Sequence, residues 1–80
     1  MLIDSHCHLD FDALSSDLDG VLSRARENGV AGCVTISTRI RKFETLKAIA
    51  AHENVWCSVG THPHNAHEEL DITPDEIVRI

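Results

Sequence analysis

His6 and His8 stand two residues apart in the run Leu2-Ile3-Asp4-Ser5-His6-Cys7-His8-Leu9-Asp10, the spacing of half a metal site. In extended backbone successive side chains point to opposite faces, so residues two apart emerge on one face with Cα atoms roughly 6.5 Å apart. Two imidazoles can then converge on one ion, at about 2.0 to 2.1 Å from a nitrogen of each, if a stiff strand end holds them. Chance also produces His-x-His pairs in many chains. Here the pair follows a short apolar strand start and is flanked by the carboxylates of Asp4 and Asp10. A second pair, His62 and His64, stands in Gly60-Thr61-His62-Pro63-His64. A carboxylate beside metal-binding histidines can orient a ring through its second N–H, which gives Asp4 a supporting role.

The elements that must hold these residues are readable from periodicity. Residues 2 to 5 form a first strand, and Leu18, Val21, Leu22 and Ala25 mark a helix that Asn28-Gly29 stops. Residues 30 to 37 are a buried strand rich in β-branched side chains, and Phe43, Leu46, Ile49 and Ala50 mark a second helix closing near residues 52 to 54. Residues 55 to 59 are the third strand, ended by Pro63, and Thr73-Pro74-Asp75-Glu76 reads as a capping box that opens a last helix. Apolar strands in strict alternation with helices mean an α/β fold with parallel strands and right-handed crossovers. Three such strands leave edges and an apolar face uncovered. The expectation is that residues 1–80 are the first part of a larger fold, poorly stable or self-associating when alone, or else complete only as an oligomer.

In parallel α/β folds ligands gather at the carboxyl ends of the strands, and four of the six histidines fall at that end. His62 reads as a contact to a substrate phosphate or as a loop histidine bonding backbone, and His64 is open between the two. His52, at the end of the second helix, suits the free carbonyls there, and His67, beside Glu68 and Glu69, reads as exposed. Asp10, Asp12, Asp17 and Asp19 read as a solvated acidic loop and helix start. Arg39, Arg41 and Lys42 are a solvated basic helix start, or a small rim that attracts a phosphate backbone.

Composition narrows the class. Eighty residues make one small domain with a marginal core, and with 42% apolar residues no run approaches the roughly 18 needed to cross a bilayer. No cationic, apolar leader opens the chain, so the expected compartment is the cytoplasm. Cys7, Cys33 and Cys57 are odd in number and lack Cys-x-x-Cys spacing, which argues against a disulfide framework and a cysteine zinc site. A net charge of −6 speaks against a broad basic surface for nucleic acid, but a bound divalent ion can supply positive charge where a phosphate sits.

The opening Ile3-Asp4-Ser5-His6-Cys7-His8-Leu9-Asp10, the helix stop Glu27-Asn28-Gly29-Val30 and the element Gly60-Thr61-His62-Pro63-His64 together resemble the N-terminal third of the TatD family of metal-dependent deoxyribonucleases, in the amidohydrolase superfamily. The resemblance runs along nearly all of the chain. It implies the N-terminal part of a (β/α)8 TIM barrel, about three β/α units with parallel strands. It also implies one or two divalent ions, with zinc, magnesium and manganese all compatible, and DNA as substrate. His6 and His8 match the family's first metal-ligand pair and His62 its phosphate-side histidine. The family's remaining ligands, a glutamate, two histidines and an aspartate, have no counterpart within residues 1–80, and Glu68, Glu69 and Glu76 do not replace that glutamate. No catalytic residue is therefore assignable within these residues, and the chain alone is expected to be inactive. The alternatives are another His-x-His hydrolase, of the PHP phosphoesterase or deacetylase-like amidohydrolase type, and a non-catalytic metal-binding or interaction module.

Overall fold

Residues 2–80 are described by the structure, a computed structural model. The three apolar runs become strands β1 (Leu2–Cys7), β2 (Val30–Thr35) and β3 (Val55–Cys57), side by side in that order and all parallel. Between and after them lie α1 (Asp12–Ser15), α2 (Leu18–Glu27), α3 (Phe43–Ile49) and α4 (Pro74–Arg79). This is the α/β architecture of about three β/α units that the sequence implies. Strand β1 runs two residues beyond the expected end, so it includes His6, and its pairing with β2 shifts register between Asp4 and Cys7. Strands β2 and β3 end two residues earlier than expected.

Helix α2 turns Leu18, Val21 and Leu22 onto the sheet, and Gly29, at φ 89°, gives the left-handed stop that Asn28-Gly29 predicts. Helix α1 is a single turn, too short to show a period, closed by the N–H groups of Leu14 and Ser15 on the Phe11 carbonyl at 2.8 and 2.9 Å. The capping box at Thr73 does not form. Pro74 opens α4 as expected, but the Thr73 side chain makes no cap hydrogen bond, and the Glu76 N–H bonds the Thr73 carbonyl instead at 3.1 Å.

Leu9, Leu22, Cys33, Ile49 and Val55 form the core between the sheet and its helices, with Cys7 and Val30 packed against it. Gly32, next to Cys33, faces the other way. A Cβ there would come within 2.9 Å of the Trp56 ring and 3.1 Å of Ile3 Cδ1, so glycine lets these two side chains close over β2. Trp56 and Ile3 stay 53% and 52% exposed, which leaves that face of the sheet apolar and open. Among the described residues no helix is long and apolar enough to cross a membrane.

Candidate metal centre and phosphate-facing rim

The chain around the first histidine pair is pinned to β2 by three successive contacts. The Cys7 carbonyl accepts the Ile36 N–H at 2.8 Å, His8 Nδ1 lies 3.2 Å from the Ile36 carbonyl, and the Leu9 N–H donates to Thr35 Oγ1 at 3.0 Å. Thr35 is fully buried and Leu9 is 3% exposed, so the pin is anchored in the core. The rings of His6 and His8 lie edge to face with centres 5.2 Å apart, and the His8 ring is stacked on Phe11 with centres 4.8 Å apart. With its Nδ1 proton donated to the Ile36 carbonyl, His8 keeps the lone pair of Nε2 for an ion. The two rings thus fit a shared metal, as neutral nitrogen donors on a rigid strand end. Two such donors are one fewer than the three protein ligands that a catalytic zinc centre uses, and among the described residues no three His, Cys, Asp or Glu side chains converge on one point.

Asp4 is exposed, and its Oδ1 accepts the backbone N–H of His6 at 3.1 Å. It therefore steadies the main chain of His6, while the ring-orienting acceptor in the structure is the Ile36 carbonyl at His8. Asp10 is less solvated than its sequence context suggests: Oδ1 is shut off from solvent and has no donor among the described residues.

His62 sits beyond β3 at the same end of the sheet. Past the paired residues, the loops after β2 and β3 stay zipped together, through Ser58 N–H to the Thr35 carbonyl at 3.1 Å, Ser37 Oγ to the Gly60 carbonyl at 2.6 Å and His62 N–H to the Thr38 carbonyl at 2.9 Å. His62 Nδ1 accepts the His64 N–H at 3.0 Å, which puts the ring proton on Nε2 and makes the free edge of the ring a donor. Such a ring suits an anionic oxygen better than a cation. Strand β2 stands between it and the His6–His8 pair, a separation of two strand spacings, about 10 Å. His64 is exposed with its ring 6.4 Å from that of His62. His52 bonds the Ile49 carbonyl at 3.0 Å as a helix-end histidine should, with Asp19 3.3 Å from its other nitrogen, and His67 is exposed.

The residue that sequence reasoning missed is Glu69. It is 6% exposed and closes the loop 61–71 onto the start of the segment after β2. Its carboxylate accepts the N–H groups of Ile40 at 2.7 Å and Arg41 at 2.9 Å and the Thr61 hydroxyl at 2.6 Å. Burial pushes this carboxyl up, but the Thr61 hydroxyl, the two N–H groups and the Arg41 charge together outweigh it and hold the group below its ordinary value. Around this latch the basic segment is internally neutralised, contrary to its reading as solvated: Arg39 pairs with Glu68 at 3.1 Å and Arg41 with Asp71 at 2.6 Å. Lys42 is exposed and has no ion pair among the described residues.

Parallel strands with ligating side chains at their carboxyl ends are the layout of metal-dependent α/β hydrolases. Within that class the match is specific: residues 3–80 fit the family described as TatD related DNase, and the chain belongs to this family. It is 33% identical over 75 residues to "uncharacterized metal-dependent hydrolase YcfH" of Escherichia coli, covering 89% of this chain and 28% of that protein. It is 40% identical over 67 residues to an "uncharacterized metal-dependent hydrolase" of Buchnera aphidicola, covering 79% and 25%. It is 35% identical over 69 residues to "3'-5' ssDNA/RNA exonuclease TatD" of Pantoea ananatis, covering 84% and 26%. The chain thus spans about a quarter of the length of these curated relatives.

Proposed function

We propose that this chain is the N-terminal portion of a metal-dependent deoxyribonuclease, a (β/α)8 barrel of the amidohydrolase superfamily that hydrolyses DNA phosphodiester bonds. The observation that carries this is the His6–His8 pair: rings 5.2 Å apart on a strand end, with His8 Nδ1 tied to the Ile36 carbonyl so that Nε2 is left to a metal. His6 and His8 would hold one divalent ion, zinc, magnesium or manganese, and strands beyond residue 80 would supply the other ligands. Such an ion, when bound, supplies Lewis-acid activation of water and neutralises charge developing on phosphoryl oxygens. The Asp4 carboxylate steadies the His6 backbone, and the Phe11 ring limits rotation of His8. The Nε2–H of His62 donates to a non-bridging phosphate oxygen. Free Cys7, Cys33 and Cys57 suit a reducing compartment, and we assign the protein to the cytoplasm.

The test is cleavage of single-stranded DNA by the protein that carries this chain, against divalent-metal concentration, with circular dichroism as folding control. His6→Ala with His8→Ala should abolish turnover with the fold intact, because strand-end ligands project from the sheet rather than fill the core. His62→Ala should slow turnover without changing the metal requirement. Full cleavage by a folded double variant, or cleavage in excess chelator, would overturn the assignment. The 80-residue chain alone should bind Zn²⁺ weakly, lose that binding in the double variant, and show negligible turnover.

A further inference from the structure

A cleft of about 720 Å³ opens next to Phe11, lined by Thr38, Lys42 and Thr45 and also by the acidic residues Asp10 and Asp12. Both histidine segments border it: Phe11 is stacked on His8, and the Thr38 carbonyl holds the His62 N–H at 2.9 Å. Phe11 is 52% exposed although it has a ring partner. Its placement is rigid. Its N–H donates to the His8 carbonyl at 3.2 Å, and its own carbonyl caps α1 by accepting from Leu14 and Ser15. One face of the ring is taken by His8, with the planes 15° from parallel, and Phe11 is among the residues that line the cleft.

We propose that Phe11 is a stacking platform for a nucleobase of single-stranded nucleic acid, adjacent to the phosphate that the histidine rim holds, with Lys42 meeting a neighbouring phosphate. This deepens the nuclease reading above and rests on it. A preorganised aromatic face suits any base, because every base has a π-face, so the contact selects unstacked strands without selecting sequence. A duplex cannot offer a base to Phe11 without unstacking it. The charge balance points the same way. At a net charge of −6, long-range attraction does not draw a polyanion to this chain, and Arg39 and Arg41 are already paired with Glu68 and Asp71. Affinity must come from local contacts, and the exposed aromatic ring and the one cleft lysine without an ion pair among the described residues supply them. Lysine fits the phosphate role as a compact charge on a flexible stem.

The experiment is fluorescence anisotropy of a labelled oligothymidylate, and of the same oligomer made abasic, titrated in chelator, so that no cleavage occurs, with the protein that carries this chain. Phe11→Ala should weaken binding of the base-bearing oligomer about tenfold or more and leave the abasic oligomer unchanged. Phe11→Trp should restore binding. Lys42→Gln should weaken both oligomers alike and lower the salt dependence by about one released counterion. Equal effects of Phe11→Ala on both oligomers, no effect on either, or no binding of the base-bearing oligomer by the wild-type protein would overturn the proposal. The two readings fail separately. Metal-dependent cleavage that survives Phe11→Ala unchanged in rate and KM sinks the platform and spares the nuclease, whereas Phe11-dependent binding in a protein that never cleaves DNA sinks the nuclease alone.

Discussion

Replacing Glu69 by Gln removes one charge and turns one of its two acceptor oxygens into a donor. The wild-type carboxylate satisfies three donors, the N–H groups of Ile40 and Arg41 and the Thr61 hydroxyl, at 2.6 to 2.9 Å in a site 6% exposed. The remaining oxygen of Gln can keep Ile40 and Thr61, but its amide then faces the Arg41 N–H, donor against donor. Hydrogen bonds to a charged acceptor contribute about 1.5 to 3 kcal/mol each, and neutral ones about half of that. Losing one bond and weakening two therefore costs about 3 to 6 kcal/mol, a large part of the roughly 4 to 12 kcal/mol available to a domain of this size. With a urea slope near 1 kcal/mol per M for a small domain, the unfolding midpoint should fall by roughly 3 M or more. Acid should reproduce the substitution. The folded carboxyl titrates below its ordinary value of 4.5, so the unfolded chain takes up the proton first. The stabilisation is complete above that ordinary value and is lost as pH falls through the lower, folded one. The gap between wild type and Glu69→Gln should stay constant from about pH 8 to 5 and narrow below about pH 4. Urea unfolding followed by circular dichroism across this range measures both. Coincident curves at neutral pH would refute the latch, since they would mean that water replaces the carboxylate at no cost.

Thr35→Val keeps the shape of a fully buried side chain but strands the Leu9 N–H, at a cost of about 1 to 3 kcal/mol and weaker metal binding at His8, whereas Thr35→Ser should stay near wild type; equal melting and metal titration for the valine variant would break the link from Thr35 to the site. Burial first, then the Asp4 charge and Cys33, pushes the Cys7 thiol up to about 12, so at pH 8 only about one molecule in ten thousand carries its thiolate. Cys7 and Cys57 are both half-buried, so a thiol–disulfide reagent should show Cys7 reacting far more slowly than an ordinary thiol because its thiolate is scarce, and reaction at an ordinary thiol's rate would contradict the raised Cys7 value. The open face with Ile3 and Trp56 should make the 80-residue chain self-associate, with Trp56 emission moving to the blue as concentration rises. A monomer with a cooperative, high-temperature transition in sedimentation and melting experiments would show the opposite.

What the chain's order of residues determined by itself is local. His6 and His8 share a strand end because extended backbone has a period of two, Gly29 stops α2 because it accepts a positive φ, and Pro63 marks the start of the turn after β3 because it lacks an N–H. The alternation of apolar strands with helices was legible for the same reason, since each element declares itself within about ten residues. The site's supports were not. Glu68 and Glu69 are adjacent and identical in kind, yet one lies exposed on Arg39 and the other is buried on the N–H groups of Ile40 and Arg41, 29 and 28 residues away in sequence. Thr35 looks like any β-branched strand residue until β1 comes to lie beside β2 and presents it with the Leu9 N–H. At Thr73 the local signal was right about the helix start and wrong about the hydrogen bond, because a carbonyl took the place of the hydroxyl. Backbone periodicity is written into neighbouring residues, whereas the partner of a buried polar group depends on which distant segment the parallel sheet brings alongside it. Only the tertiary structure decides that.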